Sequence, residues 1–414
     1  MSTIVVGAGL AGLTAAIRAA ERGETVDLVT FGLGGLQLGQ GTIDLLGYLP
    51  ATFERAEQRA DDPFAGLAEL VEARPDHPYH HFEPDELNGD LDWFAALLPT
   101  LLAAGDGHNH LVATALGAMR PTYLPQPSMA IPADAATWAI VGPRQLKDFY
   151  PELCAANLAR TAGVQTAAYQ IDLAARPGEV DSTPTQYARS LDDPAYCERF
   201  AAAVKAVIKT EDAVGLPACL GLTDPAAYRK LATIIGRPVF EIVLPPPGIP
   251  GLRLNNALTA IAKTIGVRVV VGAKVIGFTA DGGHVSAATV RQAGRDQTWP
   301  ADHVIFAPGG FESGALALDS HGQVSEVVLG LPLTGAEADL INGDYWADQA
   351  LFAVGVATDQ AMRPVDATGQ VIYDNLQVAG GLLAGAFRQA EKSGDAIAIA
   401  SAIRAADTLA TERN

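Results

Sequence analysis

The sequence predicts an α/β protein: a Rossmann-like domain, discontinuous along the chain, carrying an inserted α/β cap domain. Three observations predict it. A strand, a glycine-rich turn, a helix and a second strand fill the first 30 residues. Two further strands that end in glycine turns appear near residues 305 and 378. Between these parts runs a long α/β stretch broken by proline-rich segments.

The bulk properties narrow the class. At about 150 residues per domain, 414 residues suggest two or three domains. Hydrophobic residues make up 49% and charged residues 18%, which excludes intrinsic disorder. The net charge of −19 repels polyanions, so nucleic acid is excluded as a partner. The 42 glycines point to tight turns near a ligand. Cys154, Cys197 and Cys219 lie too far apart in sequence for a disulfide framework, a four-thiolate zinc site or an iron–sulfur cluster of their own. The N-terminus lacks a basic segment, and no window of about 18 apolar residues occurs. The chain reads as reduced and intracellular, with no span.

The first element is a buried strand from Thr3 to Val6, made of β-branched residues. It runs into Gly7-Ala8-Gly9-Leu10-Ala11-Gly12. In this pattern Gly7 allows the tight turn, Gly9 lets backbone approach a pyrophosphate, and Gly12 lets helix and strand pack closely. A helix from Leu13 to Arg22 follows, closed by Gly23, then a strand from Thr25 to Thr30. The helix N-terminus offers free N–H groups and partial positive charge to phosphates. This order predicts dinucleotide or flavin binding. The acid that should grip the adenosine ribose at the end of the second strand is replaced by Thr30, and Asp27 points the other way.

The middle region holds a strand from Thr137 to Val141, a helix from Leu146 to Arg160 and a strand from Gln165 to Ile171. Its proline-rich breaks are Pro121 to Pro125 and Leu244 to Gly248. The expected division is 1–50 and 251–414 for the ligand-binding domain and 51–250 for the cap on the substrate side. Among the late elements, Asp302 to Ala307 forms a strand leading into Pro308-Gly309-Gly310, and Asn375 to Ala379 leads into Gly380-Gly381. Ser393-Gly394-Asp395 then opens an apolar helix from Ala396 to Leu409, with Ser393 or Asp395 as its cap. Its N-terminus would stabilise negative charge on an isoalloxazine ring. In this order the turns predict a flavoprotein rather than an NAD dehydrogenase. The residues expected to hold the flavin are Gly7, Ala8, Gly9, Gly12, Thr30, Gly309, Gly380, Gly394 and Asp395.

Other residues carry two readings each. Arg253 and Arg363 could fork onto a substrate phosphate or form structural ion pairs in an acid-rich chain. Asp44 could cap a helix or lie near the flavin. Cys219 in its apolar run reads as a small hydrophobe. His77, His80 and His81 invite a metal reading, but without paired ligands they read better as exposed or locally bonded. His303 reads as a surface residue. No His–carboxylate spacing announces a catalytic base.

Several longer runs carry a resemblance. They are Gly41 to Leu46, His77-Pro78-Tyr79, Thr114 to Gly117, Leu216 to Leu222, Pro245-Pro246, Gly251 to Leu254, Gly355 to Asp359 and Arg363-Pro364. Through them nearly the whole chain resembles the B subunits of anaerobic glycerol-3-phosphate dehydrogenases, in the FAD-dependent oxidoreductase superfamily. The resemblance implies oxidation of sn-glycerol 3-phosphate to dihydroxyacetone phosphate. It implies FMN here, with FAD as the alternative, and a catalytic, FAD-bearing A subunit for a partner. An iron–sulfur C subunit would hold the pair at the cytoplasmic face of the membrane and pass electrons to quinone. Two other expectations stay open: a non-catalytic flavin subunit that relays electrons or stabilises its partner, and a succinate- or fumarate-type flavoenzyme.

Overall fold

The computed structural model describes residues 2–50, 58–336, 339–344 and 347–411. The chain forms two units: Met1–Gly35 with Asp44–Phe94 and Asn255–Asn414, and Leu36–Ile43 with Ala95–Leu254. Residues 58–94, expected in the cap, lie in the first unit, and residues 36–43 and 251–254, expected in the ligand-binding domain, lie in the second.

The first unit begins with β1 (Ser2–Val6), whose last four residues are buried. Helix α1 (Leu10–Glu21) follows after Gly9, and its alanines and leucines favour helix while burying most of its length. The helix stops at Arg22, and Gly23 at φ +86° turns the chain into β2 (Thr25–Thr30).

The second unit is built on four parallel strands. In chain order the strands of this sheet and the helices between them are β3 (Thr137–Pro143), α2 (Pro151–Thr161), β4 (Gln165–Ile171), α3 (Pro184–Leu191), α4 (Pro194–Val207), β5 (Ala213–Pro217), α5 (Ala227–Ile235) and β6 (Val239–Ile242). The sheet order is β6-β5-β3-β4. Helices α2, α3 and α4 each start on proline, whose fixed φ and missing N–H suit the first helical position. That corrects the helix expected from Leu146: Tyr150, forced into extended backbone by the following Pro151, delays the start by five residues. Trp138 meets Phe240 edge to face at 5.3 Å in the core, with Leu158, Tyr187 and Phe200 buried around them.

Back in the first unit, β7 (Arg268–Val271) joins the sheet. An antiparallel ribbon of β8 (Ala273–Asp281), β9 (His284–Gln292) and β10 (Arg295–Pro300) precedes β11 (His303–Phe306). A small hairpin, β12 (Leu316–Leu318) and β13 (Val324–Glu326), comes next. The unit ends with β14 (Leu376–Val378), the one-turn helix α6 (Arg388–Glu391) and α7 (Gly394–Thr411). The parallel sheet runs β7-β2-β1-β11-β14, and α1 packs on α7. His303, expected at the surface, is buried: β11 lies between β1 and β14, with His303 level with Thr3. An interior parallel strand is covered on both faces, so even its polar positions go under.

Candidate functional site

The sheet order sets the place. The chain leaves β1 for β2 on one side and later adds β11 on the other, so the direction of winding switches between β1 and β11. Ligands of open α/β sheets sit in the crevice beyond the strand ends at such a point. Gly7 follows β1, and Ala307 to Gly309 follow β11.

The three motif glycines differ in what forbids a side chain. A Cβ on Gly7, which has φ +98°, would lie 2.2 Å from the Ala307 carbonyl oxygen, and one on Gly12 would lie 1.9 Å from the Gly7 oxygen. These two pack strand, turn and helix together. A Cβ on Gly9 meets nothing within 4 Å. Its side of the turn is open, at the N-cap of α1, where no side chain caps the helix and no acid stands in the first turn. The cradle therefore fits a phosphate, which would take the N–H groups and the dipole of α1.

Around this cradle the other expected residues fall as follows. Ala8 is buried beside the turn, and its carbonyl lies against Gly34. Thr30 ends β2 with its hydroxyl donating to the Gly32 carbonyl at 2.6 Å. Asp27 is taken by Arg268 on β7. Gly309 has φ +89°, and Gly381 approaches its backbone within 3.5 Å of a Cβ position. Gly380, at φ +76°, leaves room only for Ala11. Gly394 is the first residue of α7, and the Asp395 carboxylate accepts the Asp44 N–H at 3.1 Å while the Asp44 carbonyl accepts the Ala396 N–H at 3.0 Å. On β14, Gln377 is fully buried with neither amide atom hydrogen-bonded.

The two arginines singled out in the sequence are both engaged. Arg253 is buried in the second unit, donating to Gly221 O at 2.8 Å, Gln126 Oε1 at 3.2 Å, and both Glu241 oxygens at 2.7 and 2.9 Å. Burial works against the Glu241 charge, but the Arg253 guanidinium and the Ser128 hydroxyl hold its carboxyl below the usual range. Arg363 forks onto Asp359 at 2.9 and 2.7 Å.

The arginine that sequence reasoning missed is Arg388. It is half-buried and donates to Leu383 O at 3.1 Å and Gly381 O at 2.9 Å, with no carboxylate among the described residues in ion-pair contact. Burial lowers its pKa, opposed by the charges of Glu312 and Glu391. An arginine keeps its proton regardless, so the desolvated cation favours an anion beside it. Its side chain lies against the Gly394 position at the N-terminus of α7. Dipole and guanidinium thus act together.

Behind Arg388, Glu391 closes α6 in a buried cluster. It accepts from His77 Nε2 at 3.0 Å, Ser393 Oγ at 2.7 Å, the Phe387 N–H at 3.3 Å and the Arg74 guanidinium. Burial would raise its pKa, but the His77 and Ser393 bonds with Arg74 hold it low. His77 is thus locally bonded and not exposed. Tyr79 lies beside it, its hydroxyl donating to the Leu45 and Ser393 carbonyls, and burial pushes its pKa far up. Among the described residues no group of His, Cys, Asp and Glu is placed to hold a metal. The three cysteines are buried, and burial pushes the Cys154 thiol up to about 12, as inert packing residues require.

Residues 2–395 match the FAD binding domain family. The fold is that of a flavoprotein oxidoreductase. The chain is 31% identical to a protein of Halobacterium salinarum named as the probable B subunit of an anaerobic glycerol-3-phosphate dehydrogenase, over 99% of this chain and 97% of that one. It is 28% identical to the protein of Yersinia pestis named as the B subunit of its anaerobic glycerol-3-phosphate dehydrogenase, over 99% and 98%. The chain belongs to the family of anaerobic glycerol-3-phosphate dehydrogenase B subunits. Among solved structures it is similar to the 3-ketosteroid delta1-dehydrogenase of Sterolibacterium denitrificans, with a TM-score of 0.44 and 12% identity over 99% of each chain. Among the described residues no helix is long and apolar enough to cross a membrane.

Proposed function

We propose that this chain is the flavin subunit of a complex that oxidises sn-glycerol 3-phosphate to dihydroxyacetone phosphate and passes the electrons through an iron–sulfur partner to quinone. The observation that carries the reading is Arg388, a half-buried cation with no carboxylate in ion-pair contact among the described residues, set beside two glycine turns in a chain of net charge −19. A phosphate dianion needs a local cation to enter such a field. Arg388 and the N-terminus of α7 provide one, while Arg253 and Arg363 are spent on Glu241 and Asp359. A bound flavin supplies the acceptor for the hydride released as the secondary hydroxyl becomes a ketone. The chain's own residues would hold the substrate's anionic end at Arg388 and the flavin at the Gly309 and Gly380 turns, and Glu391 keeps the α6–α7 turn rigid.

The flavin in this reading is FMN. Thr30 supports it, because its hydroxyl already donates to Gly32 and no carboxylate stands at the end of β2 for an adenosine ribose. The partners are the A subunit, which bears FAD, and an iron–sulfur C subunit, which docks the pair on the cytoplasmic face of the membrane. A relay protein without its own substrate site is the second reading. It is favoured by His77, whose ring is locked between the Tyr79 N–H and Glu391 and so is not free to take a substrate proton.

One comparison tests both readings. Turnover of glycerol 3-phosphate with a dye acceptor is measured for this chain paired with its FAD-bearing partner and for each of the two alone. Activity of this chain alone supports a substrate site here, and activity of the FAD-bearing partner alone at the rate of the pair overturns it. Extraction of the flavin and chromatography against FMN and FAD decides the cofactor.

A further inference from the structure

Beyond the glycine turn that follows β11, the chain makes a long excursion before the sheet is completed by β14. Between Arg295 and Arg363 the sequence contains neither lysine nor arginine, against ten aspartates and glutamates. The excursion is also rich in aliphatic residues that the first unit does not cover. From Phe311 to Leu331 the buried residues are few: Ala315, Leu316, Glu326 and Leu331. Leu318 and Val327 are 41% and 46% exposed, and Val324, Val328 and Leu329 are half-buried.

The segment is nevertheless held in one shape. Asp319 Oδ1 accepts the His321 and Gln323 N–H groups at 2.8 and 2.9 Å, which fixes the turn between β12 and β13. The buried Glu326 carboxylate accepts the Val328 and Leu329 N–H groups at 2.9 and 2.7 Å, which fixes the exit of β13. Ala315 N donates to Gly310 O at 3.0 Å and Val327 N to Ala315 O at 3.1 Å, so the hairpin is tied to the Gly309–Gly310 turn. A rigid frame that leaves aliphatic side chains uncovered beside an acidic, cation-free run suits contact with a basic, partly apolar surface. Rigidity lowers the ordering cost of binding.

We propose that the β12–β13 hairpin is a docking surface for a cationic, partly apolar face of another protein of the complex. The inference rests on the reading above, in which the chain works inside a complex, and adds the place and the chemistry of the contact. Charge selects among occupants. A second copy of this chain would bring the same cation-free acidic run against it, and an anionic lipid surface would be repelled. A basic protein face is attracted, and the exposed Val327, on the face of the ribbon that Ala317 and Ser325 share, supplies its apolar contact. Because the hairpin is bonded to Gly310, a partner seated on it lies close to the turn that holds the flavin.

The test uses the full chain, tagged and co-expressed with the FAD-bearing and iron–sulfur partners of its complex. Val327→Lys and, separately, Ser325→Lys alter exposed positions on one face of the ribbon without touching the cradle. The expected result is that the wild type retains its partners, that either variant retains about tenfold less, and that flavin content and melting temperature of the isolated chain are unchanged. Raising the salt concentration should weaken retention of the wild type. Wild-type retention by both variants would overturn the docking surface and leave the function proposed above standing. A wild type that retains neither partner would overturn that function itself. Self-association of the chain, or binding to phosphatidylglycerol vesicles, that either variant abolishes would overturn the choice of partner.

Discussion

His77 Nε2 donates to Glu391 Oε2 at 3.0 Å across 314 residues of sequence, with both side chains buried. The tautomer follows from the other nitrogen: Nδ1 faces the Tyr79 N–H at 3.1 Å, which can only donate, so the ring proton is on Nε2 and the imidazole is neutral. The Glu391 charge is therefore balanced by Arg74 and not by His77. Glu391→Ala leaves Arg74 with Asp348 alone and strands the Ser393, Phe387 and His77 donors. It should cost about 3–5 kcal/mol of unfolding free energy. His77→Leu removes one donor and should cost about 1–2 kcal/mol. Urea denaturation of both variants checks the order, and equal losses would mean that His77 carries the cluster.

The glycine cradle makes a sharper separation. Gly12→Ala places a methyl 1.9 Å from the Gly7 carbonyl, so the packing of α1 on β1 must break. Gly9→Val puts its side chain into open space at the mouth of the turn. The expected outcome is a Gly12→Ala protein that is unstable and colourless, and a Gly9→Val protein that melts near the wild type but retains little flavin. Thermal melting together with the flavin absorbance of purified protein reads both. A Gly9→Val variant with full flavin content would remove the phosphate from this turn.

The three arginines should part ways. Arg388→Met removes the cation beside Gly381 and Gly394, and is expected to raise KM for glycerol 3-phosphate by more than about tenfold, or about 1.4 kcal/mol of binding, with the fold intact. Arg253→Met leaves Glu241 charged and buried, and should cost about 3–5 kcal/mol of stability. Arg363→Met breaks a partly exposed pair four residues apart and should change stability by less than about 1 kcal/mol. Steady-state kinetics of the assembled complex and melting of each chain give the three answers. Unchanged KM in Arg388→Met would return the phosphate to another group.

What the sequence showed and what it hid follow from the range of the interactions. The β1–turn–α1–β2 unit and strand β4 were legible because their signals are local: β-branched runs, glycine spacing and the residues that end them; the start of α1 differs, at Leu10 instead of Leu13, because Gly12 lies inside the helix. The late helix was legible to within two residues at each end for the same reason. The start of α2 was missed because Leu146 and Phe149 continue an apolar pattern, while the boundary is set by the backbone of the residue before Pro151. Arg253 and Arg363 drew notice by standing near glycine and proline. The partner of Arg363 is visible four residues back, but Glu241 is brought to Arg253 only by β6. Arg388 sits in no motif. Its chemistry comes from carbonyls that the chain folds around it and from the lack of a carboxylate in ion-pair contact among the described residues, and neither is written locally.

Asp90 gives the fold a pH dependence with a definite sign. It lies on the helix Pro84–Leu97, where burial, reinforced by Glu86 and Asp407 and opposed by Arg18 and Arg404, raises its pKa from 3.8 to about 7. Around it Asp407 is bonded to Arg18 and Arg22, and Glu86 to Arg404. The cations near Asp90 are thus each engaged with another carboxylate. An acid whose folded-state pKa is raised binds a proton in the folded state that the unfolded chain has lost. Its contribution is therefore most favourable below about pH 4, declines as pH rises, and reaches its full penalty above about pH 7. Water reaching the half-buried carboxylate limits that penalty to about 1–2 kcal/mol. Asp90→Asn removes the charge and keeps the shape. It should be more stable than the wild type at about pH 8 by that amount and nearly equal to it at about pH 4. Paired denaturation curves at the two pH values measure the difference directly. If Asp90→Asn were instead less stable at the higher pH, the carboxylate would be ionised and paired with Arg18 or Arg404 in the folded protein, and its pKa would lie below its ordinary value.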